Sequence, residues 1–128
     1  MVAIIDDDPT TLLILEHVIN TGGFEAVCFE APADFLDYMV THRPDCILLD
    51  MNMPGLNGTD VQCQLNEKGF TVPVIMVTGD SDVPTARAAL HNGAVDFITK
   101  PIDPDELLCR IRENCPPIGA VSSDRLGR

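Results

Sequence analysis

The residues able to do chemistry in this chain fall in four short stretches, and each lies at the end of an apolar run. Asp6, Asp7 and Asp8 follow Val2–Ile5, and Asp50 closes Cys46–Leu49. Thr78 and Gly79 follow Val74–Val77, and Thr99, Lys100 and Pro101 follow Val95–Ile98. If the first and third runs are neighbours, Asp6, Asp7 and Asp50 converge. Like charges in one crevice raise each other's pKa, and a hard divalent cation relieves the repulsion. Magnesium suits such a site, because it needs only a few carboxylates and keeps several waters. Asp8, directly before Pro9, reads instead as a helix N-cap. Asp50 precedes no helix, so capping does not explain it. Lys100 is either a solvated loop residue or a partner for Asp50 or for an anion beside it. Thr78 is an ordinary strand residue by type, but its place at the same edge makes it a candidate hydroxyl donor. A magnesium-bound carboxylate with a lysine and a hydroxyl nearby can accept a phosphoryl group. The cation and lysine neutralise the oxygens of the transferring group, and the carboxylate, as nucleophile, becomes an acyl phosphate.

Those residues need a scaffold that brings four chain ends to one edge, and the apolar pattern supplies it. With Ala26–Phe29 there are five short continuous runs of mostly β-branched or bulky residues, the pattern of strands buried on both faces. Between them, apolar residues recur three or four apart: Leu12, Leu15, Val18 and Ile19; Phe35, Leu36 and Met39; Val61 and Leu65; Ala86 and Leu90; Leu107, Leu108 and Ile111. These spacings predict amphipathic helices. Pro9, Pro32 and Pro104 stand where helices should start, and Gly22–Gly23, Gly69 and Gly93 where they should stop. Pro116 and Pro117 should end the last helix. The expectation is an α/β fold of five βα units, a doubly wound parallel sheet with right-handed crossovers and helices on both faces. Ligands of such sheets bind beyond the carboxyl ends of the strands, where the four stretches lie.

Composition narrows the functions further. The 128 residues amount to one domain, and an apolar fraction of 45% argues against a disordered chain. The longest apolar run is Met1 to Ile5, with three aspartates after it, so neither a membrane span nor a signal peptide is expected. Twenty acidic residues against 8 basic ones leave a net charge of -12, which repels phosphate backbones and anionic membranes. Direct nucleic-acid binding and membrane association are therefore not expected of this domain. The five cysteines form no C-x-x-C pair. Cys28, Cys46 and Cys109 lie in apolar stretches and read as reduced core residues, neither a disulfide framework nor a zinc site.

In this order and spacing the motifs are specific. They are Ile5-Asp6-Asp7-Asp8; Leu49-Asp50-Met51-Asn52-Met53-Pro54-Gly55 with Gly58; Val77-Thr78-Gly79; Gly93-Ala94-Val95-Asp96-Phe97; and Thr99-Lys100-Pro101. From about Met1 to Cys115 the chain resembles the receiver domain of bacterial two-component response regulators, the CheY-like superfamily. The resemblance implies a flavodoxin-like sheet in the order 2-1-3-4-5, with residues 1–115 as receiver and 116–128 as a flexible tail or the start of a linker. It implies Asp50 as phosphoacceptor, Asp7 as a direct magnesium ligand, Asp6 acting through water and the Asn52 backbone carbonyl completing the protein ligands. It implies that Lys100 binds the phosphate, that Thr78 and Phe97 form a switch pair, and that Asn52 and Asp80 tune dephosphorylation. It also implies a cis Lys100–Pro101 peptide. The partners implied are a sensor histidine kinase or phosphotransfer protein, and an output domain or second copy on the face of the fourth helix, fifth strand and fifth helix. The location implied is cytoplasmic. Such a domain is no conventional enzyme, but it catalyses its own phosphorylation and dephosphorylation. Asn57 departs from the family, which often has aspartate there. The loop after the fourth strand, with Gly93 to Phe97, is most similar to the subgroup that drives helix-turn-helix transcription factors.

Two other classes compete. A haloacid-dehalogenase-like phosphatase would also use an aspartyl phosphate, but it places a second acid two residues after the nucleophile, where this chain has Asn52. A flavin- or nucleotide-binding module would carry a glycine- or hydroxyl-rich loop after the first strand, where this chain has three aspartates.

Overall fold

The apolar runs form strands and the amphipathic segments form helices, strictly alternating: β1 (Val2–Ile5), α1 (Pro9–Thr21), β2 (Ala26–Phe29), α2 (Pro32–Thr41), β3 (Cys46–Asp50), α3 (Gly58–Glu67), β4 (Val74–Thr78), α4 (Val83–His91), β5 (Asp96–Thr99) and α5 (Pro104–Asn114). The structure, a computed structural model, describes residues 1–53, 58–79 and 83–114. The expectations placed on Asn57, Asp80, Cys115, Pro116, Pro117, the tail 116–128 and the side chain of Ala86 lie outside the described residues. Helix starts follow the sequence signals. Pro9, Pro32 and Pro104 each open a helix, and Asp8 caps α1 by accepting the Thr10 N–H at 3.0 Å and the Thr11 hydroxyl at 3.0 Å. The turns after α1, α3 and α4 reach positive φ at Gly23, Gly69 and Gly93.

All strand pairs are parallel, in the order β2-β1-β3-β4-β5. Alternate strand side chains feed two core layers. Val2, Ile4, Leu48, Ile75 and Val77 pack with Leu12, Leu15, Val18 and Ile19 of α1 and Leu107 and Ile111 of α5. Ala3, Ile5, Ile47, Leu49 and Met76 pack with Phe35 and Met39 of α2, Val61 and Leu65 of α3 and Ala89 of α4. Central strands β1, β3 and β4 are buried throughout. The expectation of burial on both faces does not hold for β2, which is half-buried throughout, nor fully for β5. Both are edge strands, with a neighbour on one side only. Among the described residues no helix is long and apolar enough to cross a membrane.

The cysteine expectation is also corrected. Cys46 is buried but disulfide-bonded, where a free core thiol was expected. Cys109 is exposed, because the helical period turns Leu107 and Ile111 inward and leaves Cys109 on the outer side of α5. Cys28, on the edge strand, is half-buried.

Register fixes the site. Ile5 lies beside Leu49, Asp50 beside Val77, and Thr78 beside Thr99. Asp6, Asp50, Thr78 and Lys100 therefore leave the sheet along one edge. The first turn of α3 presses against that edge. The Gly58 N–H donates to the Met51 carbonyl at 2.9 Å, and a Cβ at Gly58 would lie 2.7 Å from the Asp50 backbone oxygen. Only a glycine allows this approach. Gly58→Ala should therefore lower stability by about 1–3 kcal/mol, the usual cost of overpacking. Urea denaturation of the two proteins checks this, and an unchanged midpoint would mean that α3 yields without cost.

Candidate functional site

Four chain ends build one acidic crevice. Asp6 and Asp50 are almost fully buried, at 1% and 3% exposure, whereas Asp7 is exposed. Their carboxylates offer ligand atoms that all lie within 4.8 Å of one another. Asp6 is oriented by the Asp8 N–H, which donates to its Oδ1 at 2.9 Å. Asp50 accepts the Asn52 N–H at 3.3 Å. Lys100 Nζ reaches between the two buried acids, 3.5 Å from Asp6 Oδ2 and 3.5 Å from Asp50 Oδ1. Its backbone is held by a 2.7 Å bond from the Lys100 N–H to the Thr78 carbonyl, and the peptide to Pro101 is cis, as the resemblance implied.

Of the alternatives open for Lys100 in the sequence, the structure shows the pairing with Asp50. The structure adds Asp6, which nothing in the spacing distinguished from Asp7. Thr78 is fully buried and its hydroxyl donates to the neighbouring Gly79 carbonyl at 3.2 Å. Phe97 is half-buried on β5, beside Met76 and two register pairs before Thr78 and Thr99. Asn52 is exposed beside Asp50, and Asp80 lies outside the described residues. The sequence did not reveal what Gly58 does: its value is a close approach between segments eight positions apart, and only the fold brings those together.

The electrostatics follow from burial. The Asp50 carboxyl is pushed up to about 6, first by loss of water and then by Asp6, against the pull of Lys100 and the Asn52 N–H. Burial raises Asp6 as well, opposed by the Asp8 N–H and Lys100. One lysine thus faces three carboxylates, and negative charge is left over. The donors are hard oxygens, two of them poorly hydrated. This set fits a hard divalent cation.

The family model described as the response regulator receiver domain matches residues 2–112. The chain is a response regulator receiver domain. It is 39% identical over 112 residues to the response regulator protein TodT of Pseudomonas putida, covering 88% of this chain and 49% of that protein. It is 33% identical over 128 residues to nodulation protein W of Bradyrhizobium diazoefficiens, covering 100% of this chain and 54% of that protein. The crystal structure of full-length FixJ from B. japonicum superimposes with a TM-score of 0.85 at 32% identity, over 88% of this chain and 56% of that one. The chain spans about half the length of these relatives. Receiver domains are phosphorylation-activated signalling switches, and the haloacid-dehalogenase alternative finds no support among these relatives.

The raised Asp50 value fixes a pH dependence for this receiver. The folded protein keeps the Asp50 proton to higher pH than the unfolded chain, whose ordinary value is 3.8. The stability so contributed is full below about pH 4 and is lost as pH rises through about 6. A displacement of that size corresponds to roughly 3 kcal/mol. With divalent cations chelated, the urea unfolding free energy should fall between about pH 5 and about pH 7.5. Asp50→Asn should flatten that fall and exceed the parent in stability at the upper end. An Asn variant less stable than the parent there would mean that the Lys100 pair outweighs the cost of burial.

Proposed function

We propose that Asp50 is the phosphoacceptor of this receiver and takes its phosphoryl group from a phosphohistidine on a sensor histidine kinase or phosphotransfer protein. One observation carries the reading: a buried carboxylate at a strand end, with Lys100 Nζ 3.5 Å away and two further acids within 4.8 Å. Above its raised pKa of about 6, Asp50 is ionised at neutral pH and can attack. A carboxylate oxygen bonds to phosphorus as the phosphorus–nitrogen bond to imidazole breaks, and an acyl phosphate forms. Lys100 places its charge beside the transferring oxygens. Asp7 and Asp50, the Asn52 carbonyl, and Asp6 through water would hold magnesium. The ion supplies further neutralisation of the phosphoryl oxygens when bound.

The phosphoryl group then acts on the fold. The acyl phosphate carries about -1.5 to -2 charges where the ionised carboxylate carried one, so roughly one further negative charge stands beside Lys100 and Thr78. The Thr78 hydroxyl leaves the Gly79 carbonyl to donate to the new acceptor, and Phe97 turns into the space beside β4. Helix α4 follows, and the face of α4, β5 and α5 is remodelled for an output domain or a second copy. Residues 1–115 would be the receiver and 116–128 a tail or the start of a linker. A transcriptional output domain or a separate partner would receive the signal. NtrC of Escherichia coli, 32% identical over 111 residues, is named a DNA-binding transcriptional regulator. A cytoplasmic location goes with this reading.

Incubation with magnesium and a small acyl phosphate, read by intact mass, should give one adduct of about 80 Da, the mass of a phosphoryl group. Asp50→Asn should give none, and full labelling of that variant would move the acceptor elsewhere. Magnesium should raise the melting temperature by mass action, and Asp7→Ala should lose most of that gain. A variant that gains as much as the parent would remove Asp7 from the ligand set. Asn52 and Asp80 would line the path of the water that hydrolyses the acyl phosphate. Substituting both should change the rate of adduct loss several-fold, and an unchanged rate would make them bystanders.

A further inference from the structure

The C-terminal end of α4 is tied to α3. Gln62 of α3 is only 3% exposed, and its Nε2 donates to Asn66 Oδ1 at 3.1 Å. Asn66 Nδ2 donates in turn to the backbone carbonyl of Asn92, just past α4, at 2.5 Å. Carbonyls at the end of a helix have no partner within it, so this bond is a cap given by another helix. Among the described residues, Gln62 Oε1 is buried without a hydrogen-bond partner. Packing alone would favour an apolar side chain there, so the bond that Gln62 donates is what distinguishes it.

Other contacts converge on the same end of α4. The N–H groups of Asn92, Gly93 and Ala94 turn back to the carbonyls of Ala89 and Leu90 at 3.0–3.2 Å, with Gly93 at a φ of 114°. The Val95 N–H fastens the chain to the Val74 carbonyl at 2.8 Å. Ala89 and Ala94 are buried in the layer that holds Val61 and Leu65 of α3. Nearer the start of α4, the described side chains of Pro84, Arg87 and Ala88 are exposed.

We infer that the Gln62–Asn66–Asn92 strap makes the C-terminal end of α4 a fixed pivot, so that phosphorylation swings the helix from the end that follows Thr78 and does not move it as a body. The inference rests on the switch reading above and says where its motion must stop. Beryllofluoride with magnesium serves as the phosphoryl mimic, and residue-resolved amide exchange of the 128-residue chain is the readout. Without the mimic, Asn66→Ala should speed exchange at amides 92–95 about five-fold, the effect of one ordinary hydrogen bond. Asn66 is exposed, so the variant should fold; Gln62→Met, which keeps the volume and removes the donor, should act in the same direction. With the mimic, the parent should change at amides 85–88 and keep its protection at 92–95, whereas in Asn66→Ala the change should spread to 92–95. Unaltered exchange in both mimic-free variants would overturn the strap. Equal changes at 85–88 and 92–95 in the parent would overturn the pivot. Changes confined to the surroundings of Asp50 would overturn the switch reading and the pivot with it, and the mimic-free variants separate that failure from a strap that never held.

Discussion

Two carboxylates, Asp6 and Asp50, are buried at the end of the sheet and share one ammonium group. Neither is neutralised fully, because Lys100 Nζ stands 3.5 Å from each and Asp7 adds a third charge nearby. Burial raises both pKa values. The site is thus built at a cost to the fold, with unneutralised negative charge held at the sheet edge. Such an arrangement persists only if the surrounding scaffold is rigid enough to over-determine it.

The scaffold meets that demand with short contacts placed behind the reactive groups. The Lys100 N–H meets the Thr78 carbonyl at 2.7 Å, the Met51 N–H meets the Val77 carbonyl at 3.0 Å, and the Gly58 N–H meets the Met51 carbonyl at 2.9 Å. Each ties one strand end to its neighbour or to the turn of α3 behind it. The central strands carry fully buried aliphatic side chains into both core layers. Each such side chain contributes roughly 1.5–3 kcal/mol, which offsets the acidic edge many times over before conformational entropy is counted.

The sequence made the edge legible because strand ends are easy to read. A run of four or five apolar residues stops at a charge, and in a parallel sheet every such stop faces the same way. Asp50, Lys100 and Thr78 could be placed together for that reason, and Asp8 could be set apart as a cap because Pro9 follows it. Other features depend on distance through space, which periodicity does not carry. The preference of Lys100 for Asp6 over Asp7 is set by which carboxylate the Asp8 N–H orients inward. The need for glycine at position 58 arises from the Asp50 backbone pressing on the first turn of α3. The exposure of β2 comes from its edge position, which its apolar residues conceal. Cys109 was misread because its neighbour Leu108 hid the phase of the helix.

The contacts that face the expected phosphoryl position differ in kind from those behind it. The two Lys100 contacts are at 3.5 Å, the Asn52 N–H is 3.3 Å from Asp50, and the Thr78 hydroxyl is 3.2 Å from the Gly79 carbonyl. All are longer than the usual ~2.7–3.0 Å of good hydrogen bonds between such groups, so each donor gives up little when it turns to a better acceptor. A phosphoryl group offers three strong acceptor oxygens. The resting site thus keeps its donors close but weakly engaged, while the backbone that carries them is tightly held. On the proposed reading, this contrast would confine reorganisation on phosphorylation mainly to side chains. The hydroxyl of Thr78, 3.2 Å from the Gly79 carbonyl, would on that reading be the donor that links the charge deficit at this edge to the rest of the fold.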